Sequence, residues 1–506
     1  MKLKSLYILG IAAVLGTGCN KTFLDVNTNP NSLPTATPAF VIANALNVTG
    51  TNMVGPNELG SYWSGQWTQS NGYILSTTIF AYNFTNGDFN YWDGFYDNLE
   101  DYQYVINGAD AAGQSYLKGP AKVMKAFVFQ HLVDMYGNIP YSDALKGVAS
   151  LAPKFDDQKT VYEGLITLLD GAIADLTANA FASSYASSDI LFKGNITKWV
   201  QFANSIKLRI LTHQARITGR DSYITTEVNK IVSGGGGWLT GAEAAINPGY
   251  EAVAGHTNPV YNNWGYSETG AKRALNNYPR LTQYLVNTLK ANNDTFRLKR
   301  LGYANGGEAG STPGVSLNPE IASNYTGTPF GISAGFLPSA SSSLGPSLIV
   351  KGDFGRPYPI MTAAEIQFCL SELKQRFPAV TLTGTAQGYF EEGVRQAFRL
   401  IGSTTAAANT LTSSGIDNCD FVASTNKLTA IATQKWFGLC NFSGFEAWTE
   451  YRRTQIPATP QTPQVTTTDR PRRFFYPSSE TGSNAANVTA QGTIDVFKTK
   501  IFWDVN

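Results

Sequence analysis

Charge is scarce in this chain. Asp, Glu, Lys and Arg make up 15% of its 506 residues and sum to a formal +1, against about 25% in an average soluble protein. Neither nucleic acid nor an anionic membrane surface is therefore expected as its main partner. The densest basic runs, Arg297-Leu298-Lys299-Arg300 and Arg470-Pro471-Arg472-Arg473, are short and read as loop or helix-end charges. Histidine is scarcer still, with three in all, and the four cysteines, Cys19, Cys369, Cys419 and Cys440, include no CxxC pair, so a zinc site is not expected. Cys369 shares an apolar helical face with Ile366, Leu370 and Leu373 and reads as a buried, inert thiol. Whether Cys419 and Cys440 pair is left open, since spacing alone does not bring two alpha carbons together. There is no GxSxG elbow and no HExxH, and Gly234-Gly235-Gly236-Gly237-Trp238 lacks the lysine of a phosphate loop. No cofactor and no metal are expected. His131 and His213 sit inside helical patterns as core histidines, and His256 stands alone in a loop without a nucleophile. Two carboxylates gathered by the fold would still suit glycoside hydrolysis, although the adjacent pairs Asp156-Asp157 and Glu391-Glu392 read as solvent-facing.

What the chain has instead is helix, amide and aromatic. From Lys118 to Leu145, Met124, Phe127, Val128, Leu132 and Met135 recur at helical spacing, with Val123, Ala126, Val133 and Tyr136 as a second apolar row beside them. A helix with two apolar rows packs between neighbours, and its polar strip is narrow: Lys118, Lys122, Lys125, Gln130 and Asp134. Gly137-Asn138 and Pro140 stop it. Similar patterns at 91–108, 160–179 and 196–217 begin about 30 to 40 residues apart, near the 34-residue tetratricopeptide period, and predict stacked helix pairs. Further helices are expected at 275–292, at 362–377 behind a Thr362/Glu365 capping box, at 386–402, and as one long helix at 428–453.

The first 18 residues have a basic start, an apolar run from Leu6 to Leu15 and small residues before Cys19, which is a secretory signal too short to span a bilayer. Leu15-Gly16-Thr17-Gly18-Cys19 resembles a bacterial lipobox, with Leu15 one place earlier than usual; the cysteine is then the point of cleavage and acylation, with palmitate among the expected chains. Phe23-Leu24-Asp25-Val26-Asn27-Thr28-Asn29-Pro30-Asn31 follows at once. That phrase, and YGNIPYSDAL at 136–145, KWVQFANSIKLRIL at 198–211, MTAAEIQFCLSEL at 361–373 and GFEAWTEYRRT at 444–454, resemble in order the SusD/RagB family of nutrient-binding outer-membrane lipoproteins. The resemblance implies a mainly α fold over 19–506: a tetratricopeptide-like scaffold at about 38–230, a loop-rich insertion at about 234–350, further helices at about 361–453 and an extended tail at 454–506. It also implies a cell-surface, lipid-anchored, non-enzymatic glycan-binding protein working with a SusC-like TonB-dependent transporter. A polysaccharide-degrading lipoprotein and a binder of peptides or another nutrient are the alternatives.

The family builds its site from loops after the first helix and in the middle insertion. In this chain those loops carry Trp67, Asn71 and Tyr73; Tyr261, Asn263, Trp264 and Tyr266; and Tyr325. Aromatic faces stack on sugar CH groups, while amides both donate to and accept from hydroxyls. Trp67 and Trp264 are expected at the centre, as exposed side chains. The anchor is open to a direct test. Mass spectrometry of the mature N-terminus is expected to find acylated Cys19, and Cys19→Ala to leave the membrane fraction. A Cys19→Ala protein that sediments with membranes at wild-type levels in cells lacking the transporter would refute the anchor.

Overall fold

The computed structural model describes residues 36–307 and 317–506. The signal segment, Cys19, the phrase at 23–31 and residues 308–316 of the loop-rich insertion lie outside the described residues. The principal helices are α1 (Pro38–Trp63), α2 (Trp92–Gly108), α3 (Lys118–Tyr136), α4 (Gln158–Ala178), α5 (Ile196–His213), α6 (Asp221–Ser233), α7 (Gln283–Ala291), α8 (Ala363–Arg376), α9 (Ala386–Leu400), α10 (Lys427–Leu439) and α11 (Gly444–Thr454). The architecture is mainly helical. Strands among the described residues are short and pair only in twos, and no helix there is long and apolar enough to cross a membrane.

Helix α3 is enclosed, as its two apolar rows require, with α2 on one side and α4 on the other. It ends where Gly137 takes φ 77° and donates its N–H to Val133 O at 2.8 Å. Contacts then run round the molecule: α4 to α5, α5 to α8, α8 to α10, α10 to α11, α11 to α1, and α1 back to α2. The join between α11 and α1 is backbone to backbone. A Cβ on Gly60 of α1 would stand 2.3 Å from Gly444 O, and one on Gly444 would stand 2.0 Å from Asn57 O, so both positions need glycine for close approach rather than for an unusual φ. A smaller apolar core gathers around α9, with Phe390, Val394, Phe398 and Phe421.

Three expectations are corrected. Gln130 and Asp134, assigned to a polar strip of α3, are fully buried. The long helix at 428–453 is two, broken where Asn441 turns to φ 73°. Thr362 caps α8, its Oγ1 accepting from Glu365 N–H at 3.2 Å, but the Glu365 carboxylate does not return to complete a capping box; it goes to Arg209.

Arg209 belongs to a buried ionic network inside the ring of helices. Its Nε and Nη2 donate to the two Glu365 oxygens at 2.6 and 2.9 Å, and Nη1 donates to Gln130 at 3.2 Å. Lys435 Nζ lies 3.0 Å from Glu446 and 3.2 Å from Glu450. Arg453 binds Glu372 at 2.8 and 2.5 Å and Glu450 at 3.0 and 2.6 Å. His213 Nε2 stands 3.1 Å from Glu446, and Nδ1 stands 3.0 Å from the Tyr162 hydroxyl, which also bonds Asp134. Trp503 Nε1, near the C-terminus, donates to Asp134 at 2.8 Å. Burial alone would raise the Glu372 pKa, but Arg453 and then Arg376 hold it well below the ordinary range; Lys435, His213 and Arg209 do the same for Glu446.

Arg453→Met would leave Glu372 and Glu450 buried without their main counter-charge. Removing one partner of a buried pair costs about 3–5 kcal/mol, so urea unfolding should show a loss of that size, and a loss below about 1 kcal/mol would mean that the network is energetically idle. The pH dependence has a definite sign. A folded-state pKa below the ordinary 4.5 means that Glu372 contributes stability fully above that value and loses it as the pH falls through the depressed one, so the wild-type unfolding midpoint should drop on acidification below that range.

Candidate functional site

Trp67–Gln69 forms an antiparallel ribbon with Pro279–Leu281, in the register Trp67↔Leu281 and Gln69↔Pro279. The chain leaving Gln69 therefore lies beside the chain entering Pro279, so the loops 70–76 and 273–278 emerge together. Ser70 N–H donates to Tyr278 O at 2.9 Å and Ser70 Oγ donates to Asn277 O at 2.5 Å. Tyr73 meets Tyr278 edge to face, centroids 5.1 Å apart, and its hydroxyl donates to Ala274 O at 3.2 Å. A third segment joins them, since Asn71 N–H donates to Phe336 O at 3.0 Å.

The surface where these three segments meet carries apolar groups without cover. Ile74 is 96% exposed and Leu337 52%, with Leu275 and Ile332 also exposed; Asn71, Tyr73, Asn277, Tyr278 and Phe336 are half-buried among them. Burial lifts the Tyr73 phenol above its ordinary pKa and Tyr278 up to about 12, so both remain neutral hydroxyls that donate and accept. Aromatic rims, aliphatic tips and amides on one surface can cover an uncharged, ring-shaped ligand and satisfy its hydroxyls.

Two of the predicted residues belong to this platform. Asn71 and Tyr73 lie on the platform, and Asn263 is half-buried on a short helix at Pro259–Trp264. The expected exposure of the two tryptophans is corrected: Trp67 is 3% and Trp264 2% exposed. They do come together, edge to face at 5.4 Å, but as core. Trp67 Nε1 is used by Asn441 Oδ1 at 2.9 Å, in the break between α10 and α11. Trp264 is placed by its short helix, which Asn258 caps by accepting from Val260 and Tyr261 N–H at 2.9 and 3.1 Å. Tyr261, Tyr266 and Tyr325 are buried as well. Tyr261 Oη accepts from Gly352 N–H at 2.9 Å, and Tyr325 Oη donates to Pro319 O at 2.9 Å. Ile74, Leu275, Tyr278, Phe336 and Leu337 were not foreseen. Their only sequence signal is a short apolar group in an irregular loop, such as Tyr73-Ile74-Leu75 or Phe336-Leu337, a pattern that marks buried and exposed side chains alike.

Catalytic arrangements find little support in the remaining groups. His131 is buried against Phe127 O at 2.7 Å, and burial followed by the Arg209 charge pushes its pKa down to about 3. Asp156 accepts from Tyr141 and Ser142 N–H, and Asp157 caps α4. His213, Glu446 and Glu450 lie close enough to share a metal ion, but Lys435 Nζ already stands between the two carboxylates. Cys369, Cys419 and Cys440 are buried free thiols, so Cys419 and Cys440 are not paired, and burial raises all three thiol pKa values.

Among curated proteins no relative matches the chain. Solved structures match at 20–24% identity. A SusD homolog from Bacteroides fragilis superposes with a TM-score of 0.73 at 22% identity, covering 93% of this chain and 99% of that one. A chitin-binding SusD homolog from Flavobacterium johnsoniae gives 0.71 at 23%, covering 93% and 98%. A SusD homolog from Bacteroides ovatus gives 0.69 at 24%, covering 92% and 99%. At such identities the likeness is one of fold. The family model described as SusD-like, "Starch-binding associating with outer membrane", matches residues 30–477, well over half of the sequence, and the chain belongs to that SusD-like family.

Proposed function

We propose that this protein is a cell-surface glycan-binding lipoprotein, anchored in the outer membrane through Cys19, which captures an oligosaccharide on the 70–76, 273–278 and 332–337 platform and delivers it to a SusC-like TonB-dependent transporter. The observation that carries the reading is the platform itself. Exposed Ile74 and Leu337 stand beside half-buried Tyr73, Tyr278 and Phe336 and the amides of Asn71 and Asn277, in a chain whose family is described as starch-binding. Membership of a family of binding proteins and the occupied state of the buried acids favour capture without cleavage. Trp67, through its ribbon with Pro279–Leu281, and Trp264, whose carbonyl accepts from Asn276, serve the site from below by holding the loops in place; Tyr261, Tyr266 and Tyr325 are core side chains. Ring stacks contribute about 0.5–1.5 kcal/mol beyond area burial, so two or three of them with a few hydrogen bonds support micromolar to millimolar binding, which suits a ligand that must be released.

Two substitutions separate platform from support. Tyr73→Ala is expected to weaken retention on the bound glycan about tenfold, roughly 1.4 kcal/mol, with an unchanged melting temperature. Trp67→Ala removes a buried ring and should cost about 3–5 kcal/mol of stability. If Tyr73→Ala binds every glycan as the wild type does, the platform is not the site; if Trp67→Ala melts like the wild type, the tryptophan is not core. The transporter assignment has its own test. Mild-detergent extraction of the native membrane is expected to bring down a large β-barrel with the protein, through a seal well above 1,000 Å², and recovery of free lipoprotein alone while that barrel is expressed would refute the pairing.

A further inference from the structure

Apart from the platform, a cavity of about 410 Å³ opens between the insertion and the end of α9, within the roughly 300–1,000 Å³ of small-molecule sites. None of its lining residues belongs to the platform. Three guanidinium groups reach it, from Arg300, Arg356 and Arg399, and two carboxylates, from Glu243 and Asp353. The carboxylates are spoken for. Asp353 accepts from Arg356 Nε and Nη2 at 2.9 and 2.5 Å. Glu243 accepts from Arg399 and, with its other oxygen, from the Ala363 N–H. Each pair cancels its own charge, and the positive charge left over is Arg300's.

Arg300 has no carboxylate partner among the described residues. Its Nε donates to Ile401 O at 2.6 Å, which aims the group. The turn that follows leaves room for it, because Gly402 has φ 74° and a Cβ there would stand 2.7 Å from Arg300 Nη2. Burial and the neighbouring Arg356 charge both lower the Arg300 pKa, which is the mark of a cation lacking a counter-ion. Around this charge the wall is apolar, with Val260, Leu348, Pro359, Ile401 and Phe442. A planar guanidinium fork with free N–H groups matches an oxyanion bidentately, and an apolar wall accommodates the body that carries it.

We infer that this cavity binds a small molecule bearing one oxyanion, a carboxylate or a sulfate, with Arg300 as the group that recognises the charge. The site shares no lining residue with the platform loops, although Asn441 borders it and also holds Trp67; its failure would leave the glycan-capture reading untouched.

The test is calorimetric titration of the mature protein with glucuronate, glucose 6-sulfate, glucose and inorganic sulfate. Glucuronate or glucose 6-sulfate should bind at least tenfold more tightly than glucose, with an affinity that weakens as sodium chloride is raised. Arg300→Gln should lose at least tenfold of that binding while keeping the wild-type melting temperature and glycan retention, and Arg300→Lys should recover part of it. Inorganic sulfate binding as well as the sugar acids would support the oxyanion site and identify the free ion as its ligand. Absence of binding by every acidic probe, equal binding of glucose, or acid binding unaffected by Arg300→Gln would overturn the inference. Salt dependence is read on the wild-type protein, so the proposal stays falsifiable even if the variant fails to fold.

Discussion

Charge that has been taken out of water must find charge. This chain has few ionised side chains, yet it places Arg209, Lys435, Arg453, Glu365, Glu372, Glu446, Glu450 and Asp134 where water does not reach. Desolvating each costs several kcal/mol unless geometry and hydrogen bonds return it, so the five helices that carry them must meet in one register. An apolar interface tolerates sliding by a fraction of a turn; a bidentate Arg209–Glu365 pair at 2.6 and 2.9 Å does not. The ring of helices is therefore held in alignment by its interior, and α1, sealed backbone to backbone against α11 at Gly60 and Gly444, inherits that alignment.

The platform stands at the far end of the same chain of constraints. Helix α1 ends at Trp63, and only three residues separate it from Trp67, whose indole is held by Asn441 in the α10–α11 break. The ribbon with Pro279–Leu281 carries this fixed position outward to the loops, so the exposed groups of Tyr73, Ile74 and Leu337 rest on a layer of aromatic core. Rigidity below and exposure above allow a surface to bind weakly without losing its shape, because little ordering entropy has to be lost on binding.

Much of the fold was legible because helices announce themselves locally. Residues 118–136 could be read almost to the residue, since two apolar rows at 3.6-residue spacing and a Gly-Asn-Pro stop are properties of neighbouring positions. What could not be read depended on partners far away. Gln130 and Asp134 look like a solvent strip until Arg209, Tyr162 and Trp503 arrive from 28 to 369 positions further on. Glu365 looks like half of a capping box, but a buried guanidinium outbids the backbone N–H. The site suffered most from this limit. Trp67 and Trp264 look exposed in sequence because aromatics in Asn- and Gly-rich loops fit both roles, and only the ribbon register and Asn441 decide between them. Exposed Ile74 is equally illegible, because in the short run Tyr73-Ile74-Leu75 nothing local says which of the three side chains faces out.

The same network bears on when the protein can fold. Arg209 and Asp134 lie in the first half of the chain, while Glu446, Glu450, Arg453 and Trp503 lie in its last 61 residues. A growing chain that has shown only its first 360 residues can form α2 to α5, but would have to bury Arg209 and His213 without Glu365, Glu446 and Glu450, and Asp134 without Trp503. The penalty for an unpaired buried charge makes that premature core unfavourable. Long-range pairing of this kind also slows folding in general. Completion of the core thus waits for residues 446–503, which couples the first helices of the chain to some of the last segments to be made.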